Sequence, residues 1–107
     1  MNKNKVILSG KVGQDARIIN LPDGAQVARF ILATSEVVKG RNGNISVETQ
    51  WHNVVAWNNN GIEDLKSIVG GVELELEGKL RYIKYTSADG TSRSLTEIVA
   101  TQILLVK

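Results

Sequence analysis

Apolar and polar side chains alternate along most of the chain, and a half-buried β-strand is the element that such alternation predicts. The first apolar run, Val6 to Val12, contains Gly10 and is followed by Gly13. Glycines at these places predict a strand with a sharp bend or bulge. A second short run, "ARIIN", leads into "LPDG", where the only proline stands before Asp-Gly in turn chemistry. In "AQVARFILATSE", Ala28, Phe30 and Leu32 fall on one face and Arg29 on the other, which predicts a strand with Phe30 in the core. "KGRNGN" reads as an exposed loop tip, and "TQWHNVVAW" belongs to a strand running from about Ser46 to Trp57.

The period then changes. In "NNNGIEDLKSIVGG", Ile62, Leu65, Ile68 and Val69 recur at helical spacing. Asn60 with Glu63 fits an N-cap and its reciprocal partner, and Gly70-Gly71 is a stop signal, so one short helix is expected. "VELELEGKLRYIKY" returns to alternation, with Val72, Leu74 and Leu76 inward and Glu73, Glu75 and Glu77 outward. "SADGTS" is a hairpin loop, and "RSLTEIVATQILLVK" supplies the last strand. Three strands, one helix and two strands, with a glycine-bent first strand, suit an all-β, five-stranded OB-fold barrel. The pattern by itself would equally serve another small barrel or a sandwich.

At 107 residues the chain is long enough for one domain with one modest core. It has no cysteine, which excludes disulfides and thiolate metal sites and fits a reducing, cytoplasmic setting. "MNKNKVILSG" is too short an apolar run for a signal peptide, and no stretch elsewhere is long and apolar enough to span a bilayer, so no membrane association is expected. The net charge of +2 says little, but its distribution is uneven. Acidic residues dominate from Ile62 to Glu77, whereas Lys79, Arg81, Lys84 and Arg93 face only Asp89 in the following stretch. Lys39 and Arg41 form a second basic spot. Scattered solvated charges and a surface for a polyanion both fit this distribution.

Catalytic chemistry finds no support. The single histidine, His52, has no nucleophile and carboxylate arranged around it and points away from the tryptophans, as a packed or interface residue would. The alternating glutamates could hold a hard cation, but a solvated or edge-protecting face is the better reading. No phosphate loop, dinucleotide fingerprint or zinc spacing is present, so neither enzyme activity, metal nor cofactor is expected. The aromatics are more telling. Only five are present, and both tryptophans lie six residues apart in one strand, where Trp51, Asn53, Val55 and Trp57 share a face. Tyr85 shares a face with Arg81 and Ile83 in the most basic segment. Rings interleaved with cations on adjacent strands suit single-stranded nucleic acid, because bases stack on rings and cations follow phosphates. Tryptophans plugging the ends of a small barrel would give the same spacing.

Along nearly its whole length the sequence resembles the bacterial single-stranded DNA-binding protein (SSB) family. "NKVILSGKVGQDARI" resembles the opening strand with Gly-x-x-Gly-x-Asp, "VARFILATSE" the second strand, and "TQWHNVVAW" the Thr-x-Trp-His-x-Val-Val-x-aromatic signature. "LEGKLRYIKYTSADGTSRSLTEIVA" is similar to Glu-Gly-x-Leu-Arg followed by Lys-aromatic, a hairpin and Thr-Glu-aliphatic-Val. The resemblance implies an OB fold that assembles as a homotetramer and wraps single-stranded DNA in replication, recombination and repair, as a nucleoid-associated protein. It implies base stacking at Trp51, Trp57 and Tyr85, with Arg81 and Lys84 as basic positions beside the last and His52 near a subunit interface. Asn53 on the tryptophan face and Lys39 and Arg41 in the overhanging loop complete the expected DNA contacts.

Two departures stand out. Where the family usually has a further stacking tryptophan after "ATSE", Val37 and Val38 stand instead, so one platform is missing. The sequence also stops at Lys107, where family members normally continue into a flexible Gly- and Gln-rich tail with an acidic tip that recruits replication proteins. The expectation is a truncated or tail-less chain without tail-mediated partners. The primosomal replication protein N family, a dimeric OB fold without a tail, is the second reading, although it lacks the Trp-His-x-Val-Val-x-Trp strand. An OB barrel serving only as a protein-interaction module is the third.

Overall fold

The computed structural model describes residues 1–58, 62 and 64–106. Six strands form in chain order: β1 (Val6–Val12), β2 (Arg17–Asn20), β3 (Gln26–Lys39), β4 (Ile45–Trp57), β5 (Glu73–Thr86) and β6 (Ser92–Leu105). β1 pairs with β5, β5 with β6, β6 with β4, β4 with β3, and β3 returns to β1. That ring is a closed five-stranded barrel, the OB architecture expected from the sequence. Every pairing is antiparallel except the short parallel contact between β4 and β6, Val54↔Ile98 to Ala56↔Ala100.

β2 is the "ARIIN" run, and its pairing shows it to be the continuation of β1. Val12 faces Leu32 on β3, and Arg17 then faces Arg29, so the first strand takes five steps where β3 takes three. The extra residues are the bend that the glycines foretell. β1 can leave β5 for β3 because Gly10 lies hard against the backbone of β3, where a Cβ would collide with the Ala33 carbonyl oxygen. Gly78 does the same opposite the bulge in β6, where Thr101 is the extra residue, against the Val99 carbonyl.

Inward positions of all the strands fill the barrel: Phe30, Leu32, Val54, Leu74, Leu76 and Ile98 are buried in one cluster. Ile62, Leu65 and Ile68 join it from the connection between β4 and β5. This connection departs from expectation. Among its described residues the regular part is one 3₁₀ turn, Leu65–Ser67, capped by Asp64, whose carboxylate accepts the Lys66 N–H at 3.0 Å and the Ser67 hydroxyl at 3.2 Å. The proposed cap pair Asn60 and Glu63 lies outside the described residues. The helical spacing reports burial of three apolar residues, not a sustained helix, and Val69 of the same pattern is exposed. Beyond the turn the backbone is held to the β1–β2 bend instead, by Ala16 N–H to the Ile68 carbonyl and Gly71 N–H to the Val12 carbonyl.

The glutamates of β5 are outward, as expected. They protect no edge, because β5 lies between β1 and β6. Both long hairpins run on past the barrel as two-stranded arms. Val37 and Val47 of the β3–β4 arm and Tyr82 of the β5–β6 arm are 66–71% exposed. The arms account for a radius of gyration of 16.0 Å, against roughly 13 Å for a compact domain of this size.

Candidate nucleic-acid interface

β4 pairs with β3 in unbroken register from Val27↔Trp57 to Lys39↔Ile45, so alternation is preserved along the whole strand. Val54 and Ala56 therefore point into the barrel, and Trp51, Asn53, Val55 and Trp57 point outward. Trp51 is 64% and Trp57 39% exposed, which excludes both from the core. The Trp51 ring lies over Gly13, close enough that a Cβ there would stand 3.4 Å from the ring. Val55 faces outward too, yet it is buried.

A charged cluster explains the covered valine. Glu97 on β6 is 1% exposed and is the only buried charged residue among those described. Arg81, its register partner on β5, donates to Oε1 through Nε at 3.1 Å and also through Nη2. Arg29 on β3 donates from Nη1 to Oε2 at 3.1 Å. β4 lies between β3 and β6, so the Arg29 side chain must cross the outer face of β4 to reach Glu97, and it covers Val55. The cluster sits on the tryptophan face, between Trp51 and Trp57 on one side and the β5–β6 arm on the other. Two guanidiniums and one carboxylate leave it a net charge of one.

Alternation places Tyr85 on the same face of β5 as Arg81, four residues further out on the arm, where it is about half exposed opposite Arg93. Lys84 points to the other face, beside the exposed Tyr82. Lys39 and Arg41 lie at the far end of the β3–β4 arm, six register pairs beyond Trp51, or roughly 20 Å at strand spacing. His52 pairs with Leu32, points away from the tryptophans, and lies with Nε2 2.8 Å from the Thr34 hydroxyl. The fold thus brings Trp51, Asn53, Trp57 and Arg81 onto one face with Tyr85 at its margin. Lys84, Lys39 and Arg41 are set apart from that face.

Arg29, Glu97 and Tyr82 were not singled out by the sequence. Arg29 reads only as an outward residue, and Glu97 only as the glutamate of Thr-Glu-aliphatic-Val in the last strand, with no site role. Their meeting across 68 positions leaves no local signal. Tyr82 follows Leu74, Leu76 and Leu80 on the inward side of the alternating strand, so the sequence reads it as core, yet it is exposed where the arm has left the barrel. Among the described residues no three carboxylate or imidazole side chains converge as a metal site, and no helix is long and apolar enough to cross a membrane.

An aromatic outer face on a five-stranded barrel can be compared with known proteins. The model of the single-strand binding protein family matches residues 3–106. The chain belongs to that family. A single-stranded DNA-binding protein of Neisseria meningitidis is 35% identical over 99% of this chain and 61% of its own length. One from Bacteroides thetaiotaomicron is 41% identical over 92% of this chain and 62% of its own. The chain therefore spans about three-fifths of the length of these relatives. A solved structure described as the Plasmodium falciparum SSB complex with ssDNA superposes with a TM-score of 0.87 at 28% identity, covering all of both chains. The family is named for binding and not for a reaction, in keeping with a sequence that carries no catalytic motif.

Proposed function

We propose that this chain binds single-stranded DNA without sequence preference across the outer face of β3, β4, β6 and β5. Bases stack on Trp51, Trp57 and Tyr85, while Arg81 and the lysines and arginine of the two arms follow the backbone. The observation that carries the reading is the exposure of both tryptophans, 64% and 39%, on one uninterrupted strand face. A monomeric soluble protein gains nothing from large rings held in water, whereas a base-stacking platform requires them there. Asn53, between the rings, is placed to hydrogen-bond a base or sugar. Relatives named single-stranded DNA-binding proteins and a structural neighbour described with ssDNA support the same ligand.

Protection of single strands in replication, recombination and repair is the cellular role in keeping with this activity. Homotetramer assembly, with His52 at a subunit contact, belongs to the same proposal. Fluorescence anisotropy with labelled oligonucleotides tests the ligand. Oligothymidine and a mixed-sequence single strand should bind with similar affinity, and a duplex of equal length far more weakly. Equal binding of duplex would overturn the reading, because paired bases cannot reach the rings.

A further inference from the structure

We propose that Arg29, Glu97 and Arg81 form a preset site for one backbone phosphate of the bound strand, with Glu97 as the positioning residue. The inference rests on the single-stranded DNA reading above and adds Arg29 and Glu97 to it.

An acidic group in the middle of a polyanion-binding face requires a reason. Burying a carboxylate is costly unless it is paired and hydrogen-bonded, and stability alone would be served as well by an apolar side chain. Glu97 has both oxygens engaged, one by each arginine. No buried side-chain polar atom among the described residues lacks a partner. The two arginine side chains are nevertheless 47% and 45% exposed, so their outer edges remain open to solvent.

A guanidinium carries five donors in a planar fork. Arg81 uses its Nε and one Nη2 donor on Glu97, and Arg29 uses one Nη1 donor. Three donors of Arg81 and four of Arg29 are left over on half-exposed side chains, with the Arg81 guanidinium held in plane by its two bonds and that of Arg29 tethered by one. Guanidinium forks match phosphate oxygens in pairs, and holding them beforehand removes much of the ordering cost on binding. The site also lies where it is needed: a strand stacked on β4 and reaching Tyr85 must cross Arg81.

The charge balance makes the site testable. The cluster carries one net positive charge, and single-strand binding follows log salt with a slope of roughly −0.7 per phosphate neutralised. Oligothymidine affinity is measured between 50 and 200 mM salt for the whole chain and its variants, with fold checked by circular dichroism. Arg29→Gln makes the cluster neutral, so its affinity should fall about 2.6-fold less than the parent's over that fourfold salt range. Glu97→Gln leaves two cations and should fall about 2.6-fold more. The double variant restores a charge of one and should recover the parent slope. Its affinity at 200 mM should stay below the parent's, because Arg81 is then no longer held.

Parent-like slopes in folded Arg29→Gln and Glu97→Gln, from a parent that binds with a clear salt dependence, would make the cluster a structural ion network only. Should Glu97→Gln fail to fold, Arg29→Gln decides alone, since it is half exposed and leaves the Arg81–Glu97 pair in place. A parent that does not bind oligothymidine at all would instead remove the single-stranded DNA reading itself.

Discussion

Trp51 and Trp57 owe their outward position to one property of β4, a register with β3 that never slips over thirteen paired positions. Unbroken alternation is why their shared face was legible in the sequence. Whether that face was core or platform was not legible, because a spacing of six residues fits both. The decision needed the exposure of each ring, which depends on what β3 and β6 place beside it. Trp51→Ala and Trp57→Ala should each weaken oligothymidine binding by about 1–3 kcal/mol per stacked base. Their thermal unfolding should remain near the parent's, since exposed residues contribute little to the core. Unfolded variants would return the rings to the interior. Arg81 illustrates the opposite limit. Its face was correctly read from Tyr85, but its buried partner Glu97 was invisible, and a cation sharing a carboxylate is not the independent charge that the sequence suggested.

Among the elements, strands and turns were legible and the helix was not. "LPDG", "KGRNGN" and "SADGTS" all close hairpins, because their residue types satisfy the turn backbone locally. In the last, the Ser87 hydroxyl and then the Thr91 N–H donate to the Asp89 carboxylate and hold it down from 3.8 to about 2. A lowered folded value means that the carboxylate supports the turn above pH 3.8 and that the support is lost as pH falls towards 2. A carbon-detected NMR titration of Asp89 should therefore give a midpoint near 2, and a midpoint at 3.8 would mean that the turn bonds do not form in solution. The segment after β4 misled because three buried apolar residues at helical spacing need only a turn to seat them when backbone bonds to Val12 and Ala16 do the rest. Gly78 marks another element whose cause lies elsewhere in the chain. Gly78→Ala should collide with the Val99 carbonyl and destabilise the barrel by about 1–3 kcal/mol in urea unfolding. An unchanged midpoint would show that the bulge can relax.

At the scale of the whole molecule, barrel closure was legible from strand order and the glycine bend, whereas the reach of the two arms was not. Alternation continues smoothly from barrel into arm, so nothing in "ATSEVVK" or "RYIKYT" says where packing ends. Assembly belongs to this scale. His52 points away from the rings and is half-buried against Thr34. His52→Tyr should lower the mass measured by light scattering and weaken DNA binding chiefly at low protein concentration, where mass action favours dissociated chains. Unchanged mass with affinity lost equally at all concentrations would place His52 in the DNA site instead. The central claim, that the outer tryptophan face is the platform for bases, is tested most directly by titrating intrinsic tryptophan fluorescence with oligothymidine. Stacked bases quench the ring they cover, so a deep, saturable quench is expected, reduced but not abolished in Trp51→Ala and in Trp57→Ala. Binding that saturates by anisotropy while tryptophan emission stays unchanged would contradict it.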